Sequence, residues 1–534
     1  MTTKQTVKVP ALGRVEGDLD VKVTIEDGVV VDAWTEATMF RGFEQILVGK
    51  DPQAGLIMTP RICGICGGSH LTKSAYALDT AFNTEVPPNA TLVRNIAQAV
   101  ETIQSIPRWF YALFAIGLTH ENYKSHSLYE EVNKRWAPFV GVNYEKGVTI
   151  SAKPVEIYAI FGGQWPHSSF MIPGGVMCAP TLSDITRSIS ILEYFRTNWL
   201  ENVLLGCSIE RWLENKTWSD VLEWLEEKPE HYESDLGLFI RYSQEISLDK
   251  YGAGPGKYLA AGSFPHHEKY IHPTIESRND ALIARSGVYD GESFHDFDQG
   301  RIREDHTYSF YEGVGSYHPF DGFTKPLDPE EGRKQGKYTF AKAPRYDLDS
   351  GETPLEVGPL ARQVIAGRKG AEDWQDNDPL IYNIVKEIGP SVMVRVLARL
   401  HEAPKYFRHV QGWLKQIDLN EKFYVNPGEL VEGRGFGATE AARGFLADWI
   451  EVKDGKIDKY QIITPTAWNI GPRDRYEQRG PIETALIGTP IKNQEDPVEL
   501  AHIAQSYDSC LVCTVHAYDG KTNEQLAKYE VTNF

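Results

Sequence analysis

Two Cys-x-x-Cys pairs stand near opposite ends of this chain: Cys63 and Cys66 in Arg61-Ile62-Cys63-Gly64-Ile65-Cys66-Gly67-Gly68-Ser69-His70, and Cys510 and Cys513 in Asp508-Ser509-Cys510-Leu511-Val512-Cys513. Cys66 and Cys510 are 444 positions apart, so the four sulfurs meet only if the whole fold closes on itself. Whatever they bind then lies at the centre of the molecule, and the rest of the chain is its scaffold. Six cysteines in 534 residues are too few for a disulfide framework, which favours metal or redox use of the pairs. Cys178 and Cys207 stand alone among apolar neighbours and read as small buried hydrophobes.

A net charge of -19 without a Lys/Arg cluster argues against nucleic acid as a partner. The N-terminus leads straight into strand-like alternation without a signal-type apolar region. The longest apolar run, Trp109 to Leu118, is about half a membrane span. The expectation is a cytoplasmic protein, or one associated with a membrane only through partners.

Val21, Val23 and Ile25, then Val29, Val31 and Ala33, flank Asp27-Gly28 and predict a hairpin over 18–36. A short helical segment over Phe40 to Leu47 ends at Gly49. Leu71, Ala75, Leu78 and Phe82 mark one face of a helix that Ser69 is placed to cap. Cys66 falls at its N-terminus, where the backbone dipole favours a thiolate. Pro87-Pro88-Asn89 opens a long helix, apolar on most sides up to Pro107, and Ser183-Asp184 opens another. Gly162 to His167 is a loop whose single imidazole reads as structural. Residues 250–350 are rich in Gly, Pro, Asp and aromatics and form an irregular layer, too aromatic for a disordered linker. Helical patterns return over Leu360 to Ile365 and Pro379 to Leu400. A second hairpin turns at Asp454-Gly455, and Asp496-Pro497-Val498-Glu499 starts a helix, with Asp496 as cap, that delivers the second thiol pair. The fold class is α+β, predominantly helical: a buried central helical bundle with peripheral β-hairpins and a loop-rich layer. As one large catalytic domain over 1–534, it divides into a hairpin region (1–60), helical core (61–249 and 351–448), irregular layer (250–350), a hairpin and metal-binding segment (449–516) and a tail (517–534).

Chemistry alone leaves several occupants open for four thiols. Paired Cys-x-x-Cys suggests structural zinc, although zinc pairs usually lie within about twenty residues. An iron-sulfur cluster is possible, but the further cysteines of ferredoxin-type runs are missing. Nickel, or nickel with iron, suits four soft thiolates, two of which can bridge.

Several further motifs stand in order along the chain: Arg14-Val15-Glu16-Gly17, Phe40-Arg41-Gly42-Phe43-Glu44, Gly162-Gly163-x-x-Pro166-His167, Lys342-Ala343-Pro344-Arg345-Tyr346, Glu356-Val357-Gly358-Pro359-Leu360-Ala361-Arg362, Glu440-Ala441-Ala442-Arg443-Gly444 and Pro465-Thr466-x-Trp468-Asn469. Together with the two cysteine motifs and His516, they resemble the large, catalytic subunit of nickel-iron hydrogenases from Arg14 to His516. The resemblance implies a nickel-iron centre carrying carbon monoxide and cyanide, with Cys63 and Cys510 as terminal ligands of nickel and Cys66 and Cys513 as bridges to iron. Dihydrogen would be cleaved heterolytically, with Cys510 as first proton acceptor and Glu16 as the next carrier. Arg443 would sit over the open side of the metals, Thr466 would hydrogen-bond a cyanide, and His70 would tune a bridging sulfur. Glu44, the Ile462 carbonyl and His516 would hold magnesium or a similar divalent cation. The implied partners are dihydrogen as substrate, an obligate iron-sulfur small subunit, and through it a higher oligomer or membrane-associated electron acceptor. The implied role is hydrogen uptake. A regulatory hydrogen sensor is the alternative, and a metal-free quinone-module subunit a third reading.

Three departures accompany the resemblance. Ser509 replaces a common proline while Asp508 is kept. Ser105 stands where many members have an aspartate, which puts the partner of Arg443 in doubt. Residues 517–534 follow His516, where many precursors are cut.

Overall fold

The computed structural model describes residues 4–9, 19–271, 282–494 and 496–509. Strands β1 (Lys4–Val9), β2 (Leu19–Glu26) and β3 (Val29–Ala37) form an antiparallel sheet in that order, so the expected hairpin gains a third strand. Val21, Val23 and Ile25 point into the core. The turn at Asp27-Gly28 has φ of 52° and 80°, the left-handed pair whose twist matches the flanking strands.

After the short helix α1 (Phe43–Leu47) come α2 (Gly67–Phe82) and α3 (Pro88–Trp109). α3 is the axis of the molecule and is buried nearly all round. Its polar residues are therefore paired inside: Arg94 meets Asp79 at 2.5 Å and donates to the carbonyls of Ile172 and Gly175. Pro107 does not end α3, which runs on to Trp109 and then widens into a π turn at Phe110–Phe114. Helix α4 (Ala152–Gly162) packs on α3, and α5 (Leu182–Phe195) packs on α4. The cap of α5 is Thr181, two residues before the expected Ser183, because Thr181 and Asp184 close a capping box.

The 250–350 layer consists of short strands and loops. Its strand β4 (Ile302–Asp305) pairs antiparallel with β5 (Ala343–Leu348). The helical pattern from Pro379 to Leu400 divides at Gly389-Pro390: α6 (Pro359–Ala366) and α7 (Leu380–Ile388) are followed by α8 (Val392–Leu414), which lies against α3. Gly389 takes φ 79° and ends α7.

Strands β6 (Gly433–Ala441), β7 (Gly444–Lys453) and β8 (Lys456–Ile463) form a second antiparallel sheet. β7 and β8 are the hairpin expected at Asp454-Gly455. β6 carries glycine at 433, 435 and 437, which hides it from strand propensity. Its position against α2 explains them: a Cβ at Gly435 would lie 1.9 Å from the Ala77 carbonyl oxygen, and one at Gly437 2.1 Å from that of Lys73. Helices α9 (Pro465–Ile470) and α10 (Val498–Ser506) complete the core. Pro497 itself takes the cap position of α10, and the Asp496 carboxylate instead sits 3.0 Å from His120. Among the described residues, no helix is long and apolar enough to cross a membrane.

Candidate metal centre

Cys63 follows a 3-10 turn over Thr59–Ile62, and Cys66 occupies the cap position of α2. The Cys63 sulfur accepts from the Ile65 and Cys66 amides at 3.4 and 3.3 Å. Both thiols are buried and neither forms a disulfide. Ser69 is not the cap of α2, which begins two residues earlier. A Cβ at Gly67 would lie 2.9 Å from the Pro60 carbonyl oxygen and one at Gly68 2.6 Å from the Tyr158 ring, so only glycines let the helix start there. The capping acceptor comes from α3. Glu101 accepts from the amides of Gly68 and Ser69 at 2.8 and 2.7 Å, from the Ser69 hydroxyl at 2.7 Å and from the Trp165 indole at 3.1 Å.

Cys63 and Cys66 open onto a cavity of about 260 Å³ whose other walls include His70, Glu44, Arg443 and Thr466. His70 Nδ1 is buried without a hydrogen-bond partner. Burial, with Lys73 adding to it, pushes the imidazole down to about 3, so it is neutral at physiological pH. Arg443 enters from the tight turn between β6 and β7. Its Nε donates to the Asp508 carbonyl oxygen at 3.0 Å, and a terminal nitrogen lies 3.1 Å from Asp508 Oδ1. The counterion left in doubt by Ser105 is therefore Asp508, which holds left-handed backbone at φ 53°.

Two arginines one turn apart on α8 also hold the approach to Ser509. Arg399 lies 3.9 Å from Asp508 Oδ2, donates to the Ser506 carbonyl at 2.9 Å and stacks on Trp109 at 4.2 Å. Burial pushes Arg399 down to about 10 against the pull of Asp508. Arg395 grips Glu356 at 2.6 Å and lies over Tyr507. The motifs thus clamp one another. Asn469 exchanges two hydrogen bonds with the backbone of Val357, and Arg362 donates to the Ala441 carbonyl at 2.7 Å.

Glu44 Oε1 accepts from the Ile462 amide at 2.9 Å, and its other oxygen accepts from Thr324. Beside it, the Lys342 ammonium lies 3.2 Å from Glu304, 3.0 Å from Gln461 Oε1 and 3.8 Å from Glu44. Burial opposes that charge, but Glu304 and Glu44 outweigh it and raise the lysine. Burial, with Glu44 adding to it and Lys342 opposing, pushes Glu304 up to about 7.

Of the residues singled out in the sequence, Cys63, Cys66, His70, Glu44, Arg443, Thr466 and Ile462 line one cavity, with Asp508 behind Arg443. Glu16, Cys510, Cys513 and His516 lie outside the described residues. His167 fits its structural reading, with Nδ1 3.0 Å from the Pro60 carbonyl oxygen. Cys178 and Cys207 are half-buried at the rim of the core rather than inside it. Sequence reasoning missed Glu101, Glu304, Lys342 and Arg399 as site residues. Lys342 stood in a quoted motif, and Arg395 and Arg399 recur at i, i+4 in the otherwise apolar stretch from Val392 to Leu400. Glu101 is the one acid between Leu92 and Ile106, a charge on a helix read as buried.

Two thiols, a hydroxyl and a neutral imidazole around one cavity suit a soft, thiolate-bound metal. Residues 41–120 and 115–516 match the nickel-dependent hydrogenase family, and the chain belongs to it. The periplasmic [NiFeSe] hydrogenase large subunit of Desulfomicrobium baculatum is 32% identical, over 98% of this chain and 97% of its own. The uptake hydrogenase large subunit of Rhizobium leguminosarum bv. viciae is 27% identical, over 98% and 97%. The crystal structure of H2-activated Dm. baculatum [NiFeSe]-hydrogenase superposes with a TM-score of 0.79 at 30% identity, covering 96% of this chain and 100% of that one. Within the family, the chain is a nickel-iron hydrogenase large subunit, an oxidoreductase acting on dihydrogen at a nickel-iron centre.

Proposed function

We propose that this subunit oxidises dihydrogen in the uptake direction, with Cys63, Cys66, Cys510 and Cys513 together holding nickel and iron, and with an iron-sulfur small subunit taking the electrons. The supporting observation is the Arg443–Asp508 pair. Arg443 walls the cavity that Cys63 and Cys66 open onto, and Cys510 is only two residues beyond Asp508, a reach of at most about 7 Å.

Held by the four thiolates, a nickel-iron centre would supply the polarisation of dihydrogen and a place for its electrons. The chain supplies the rest. Cys510 receives the proton and Glu16 relays it outward. Arg443 is always charged and held by Asp508; it positions the reactant electrostatically rather than acting as a base. Thr466 offers a hydroxyl to a cyanide. His70, kept neutral, shapes the field behind the thiols. Glu44, the Ile462 carbonyl and His516 hold a divalent cation such as magnesium, with Lys342 and Glu304 beside them. The chain lacks the cysteines for an electron relay, so the electrons leave through the partner.

Metal analysis and infrared spectroscopy of the purified complex test the assignment. Nickel and iron in equal amounts with diatomic stretching bands support it. Zinc alone, without such bands, contradicts it.

A further inference from the structure

Glu101 is a buried carboxylate near the thiol pair that the reaction as described leaves idle. It is the one acid on α3 and is buried on every side. Each carboxylate oxygen receives two donors: Oε1 the Gly68 amide and the Trp165 indole, Oε2 the amide and hydroxyl of Ser69. Burial pushes Glu101 above the usual carboxylate range, and these four donors oppose it: they suit the ionised carboxylate, which only accepts, whereas a protonated acid would have to surrender one of the contacts. The amides it takes are those that α2 exposes just after Cys66, whose own side chain does not cap them. Gln98 Nε2 also reaches Ser69 Oγ at 3.3 Å, and Gln104 Nε2 reaches the Ile65 carbonyl at 3.4 Å, so α3 grips the thiol loop along a full turn and a half.

We propose that Glu101 is a positioning residue for the thiol pair, locking the first turn of α2 and setting a fixed negative charge behind Cys66 that makes this sulfur a stronger donor to the metals. The sequence assigned the opposite sign to this place, a bare helix dipole that favours thiolate. With the amides filled and an acid added, the field at Cys66 is that of an anion. The inference rests on the reading that Cys66 bridges nickel and iron.

The test uses the intact complex carrying Glu101→Gln, Glu101→Ala or Trp165→Phe. Glu101→Gln keeps the shape and removes the charge. It should load nickel and iron as the wild type does, yet move the diatomic infrared bands to higher wavenumber, because a weaker sulfur donor leaves iron less electron density to share. Trp165→Phe removes one donor and keeps the charge, so its bands should stay at the wild-type positions. Unshifted bands in Glu101→Gln, or an equal shift in Trp165→Phe, overturn the electrostatic claim. Glu101→Ala should lower metal affinity by roughly 10-fold or more, the usual result of losing a group that orients a ligand. Amide hydrogen exchange over 66–70 provides a reading that does not depend on metal. It should quicken in Glu101→Ala, and unchanged protection there overturns the positioning claim. A wild-type complex without nickel would defeat the metal assignment alone, leaving the exchange result to decide the clamp.

Discussion

Asp508→Asn isolates one charge at the point where the chain turns toward its second thiol pair. Asn tolerates the left-handed backbone at φ 53° and keeps the side chain's shape, so the change is electrostatic. In the wild type, Asp508 lies 3.1 Å from Arg443 and 3.9 Å from Arg399, with all three side chains at most 4% exposed. Arg108 also bears on it. Removing one partner from a buried ion pair typically costs about 3–5 kcal/mol, because the other charge remains without water or counterion. Here two or three cations lose the same counterion. The Arg443 bond to the Asp508 carbonyl survives the substitution, which sets the expectation at about 3 kcal/mol rather than above it. The assay is urea unfolding followed by tryptophan fluorescence, for Asp508→Asn, Arg443→Gln and the double variant. The double should cost less than the sum of the singles by about 1–3 kcal/mol, as expected for residues in direct contact. A loss below about 1 kcal/mol with additive singles would show that Asp508 does not balance this cluster, and would refute the argument that Arg443 fixes the approach to Cys510.

Gly435→Ala forces a methyl to within 1.9 Å of the Ala77 carbonyl; the expected loss is at least the ~1–3 kcal/mol of ordinary overpacking, read as lower soluble yield and melting temperature. Lys342→Met leaves Glu304 and Glu44 without their cation and should destabilise by about 3–5 kcal/mol, with Glu304→Gln restoring part of it in the double variant; full stability in Lys342→Met would contradict the pairing. Glu483 is pushed up to about 7 by burial, against bonds from the Thr35 amide and Tyr338 hydroxyl. Its folded pKa thus exceeds the unfolded value of about 4.3, so the folded state holds the extra proton and stability falls as pH rises between the two. Glu483→Gln should flatten that slope and gain up to ~3 kcal/mol on the wild type by pH 7, measured as unfolding free energy against pH.

The parts of the fold that rest on local chemistry were legible from sequence. The Asp27-Gly28 and Asp454-Gly455 turns and the apolar stripe of α3 each follow from backbone freedom or from side-chain period. β6 was not legible, since its alternating glycines answer to the backbone of α2, a partner more than 350 positions away. Ser69 misled for a related reason: a good capping residue lost the position to a carboxylate arriving from another helix. The boundary at Gly389-Pro390 was written in the chain, yet a continuous apolar pattern concealed it. At the site, the thiols and Arg443 were found through their motifs. Arg399 and Glu304 act by pairing across the fold with Asp508 and Lys342, and single-chain patterns do not reveal such pairings.

Nickel-edge X-ray absorption on the purified enzyme addresses the convergence of the two chain ends directly. A nickel shell of four sulfurs with iron as a near neighbour is the predicted result. A shell dominated by nitrogen or oxygen, or sulfurs from a single pair with no iron beyond them, would contradict it.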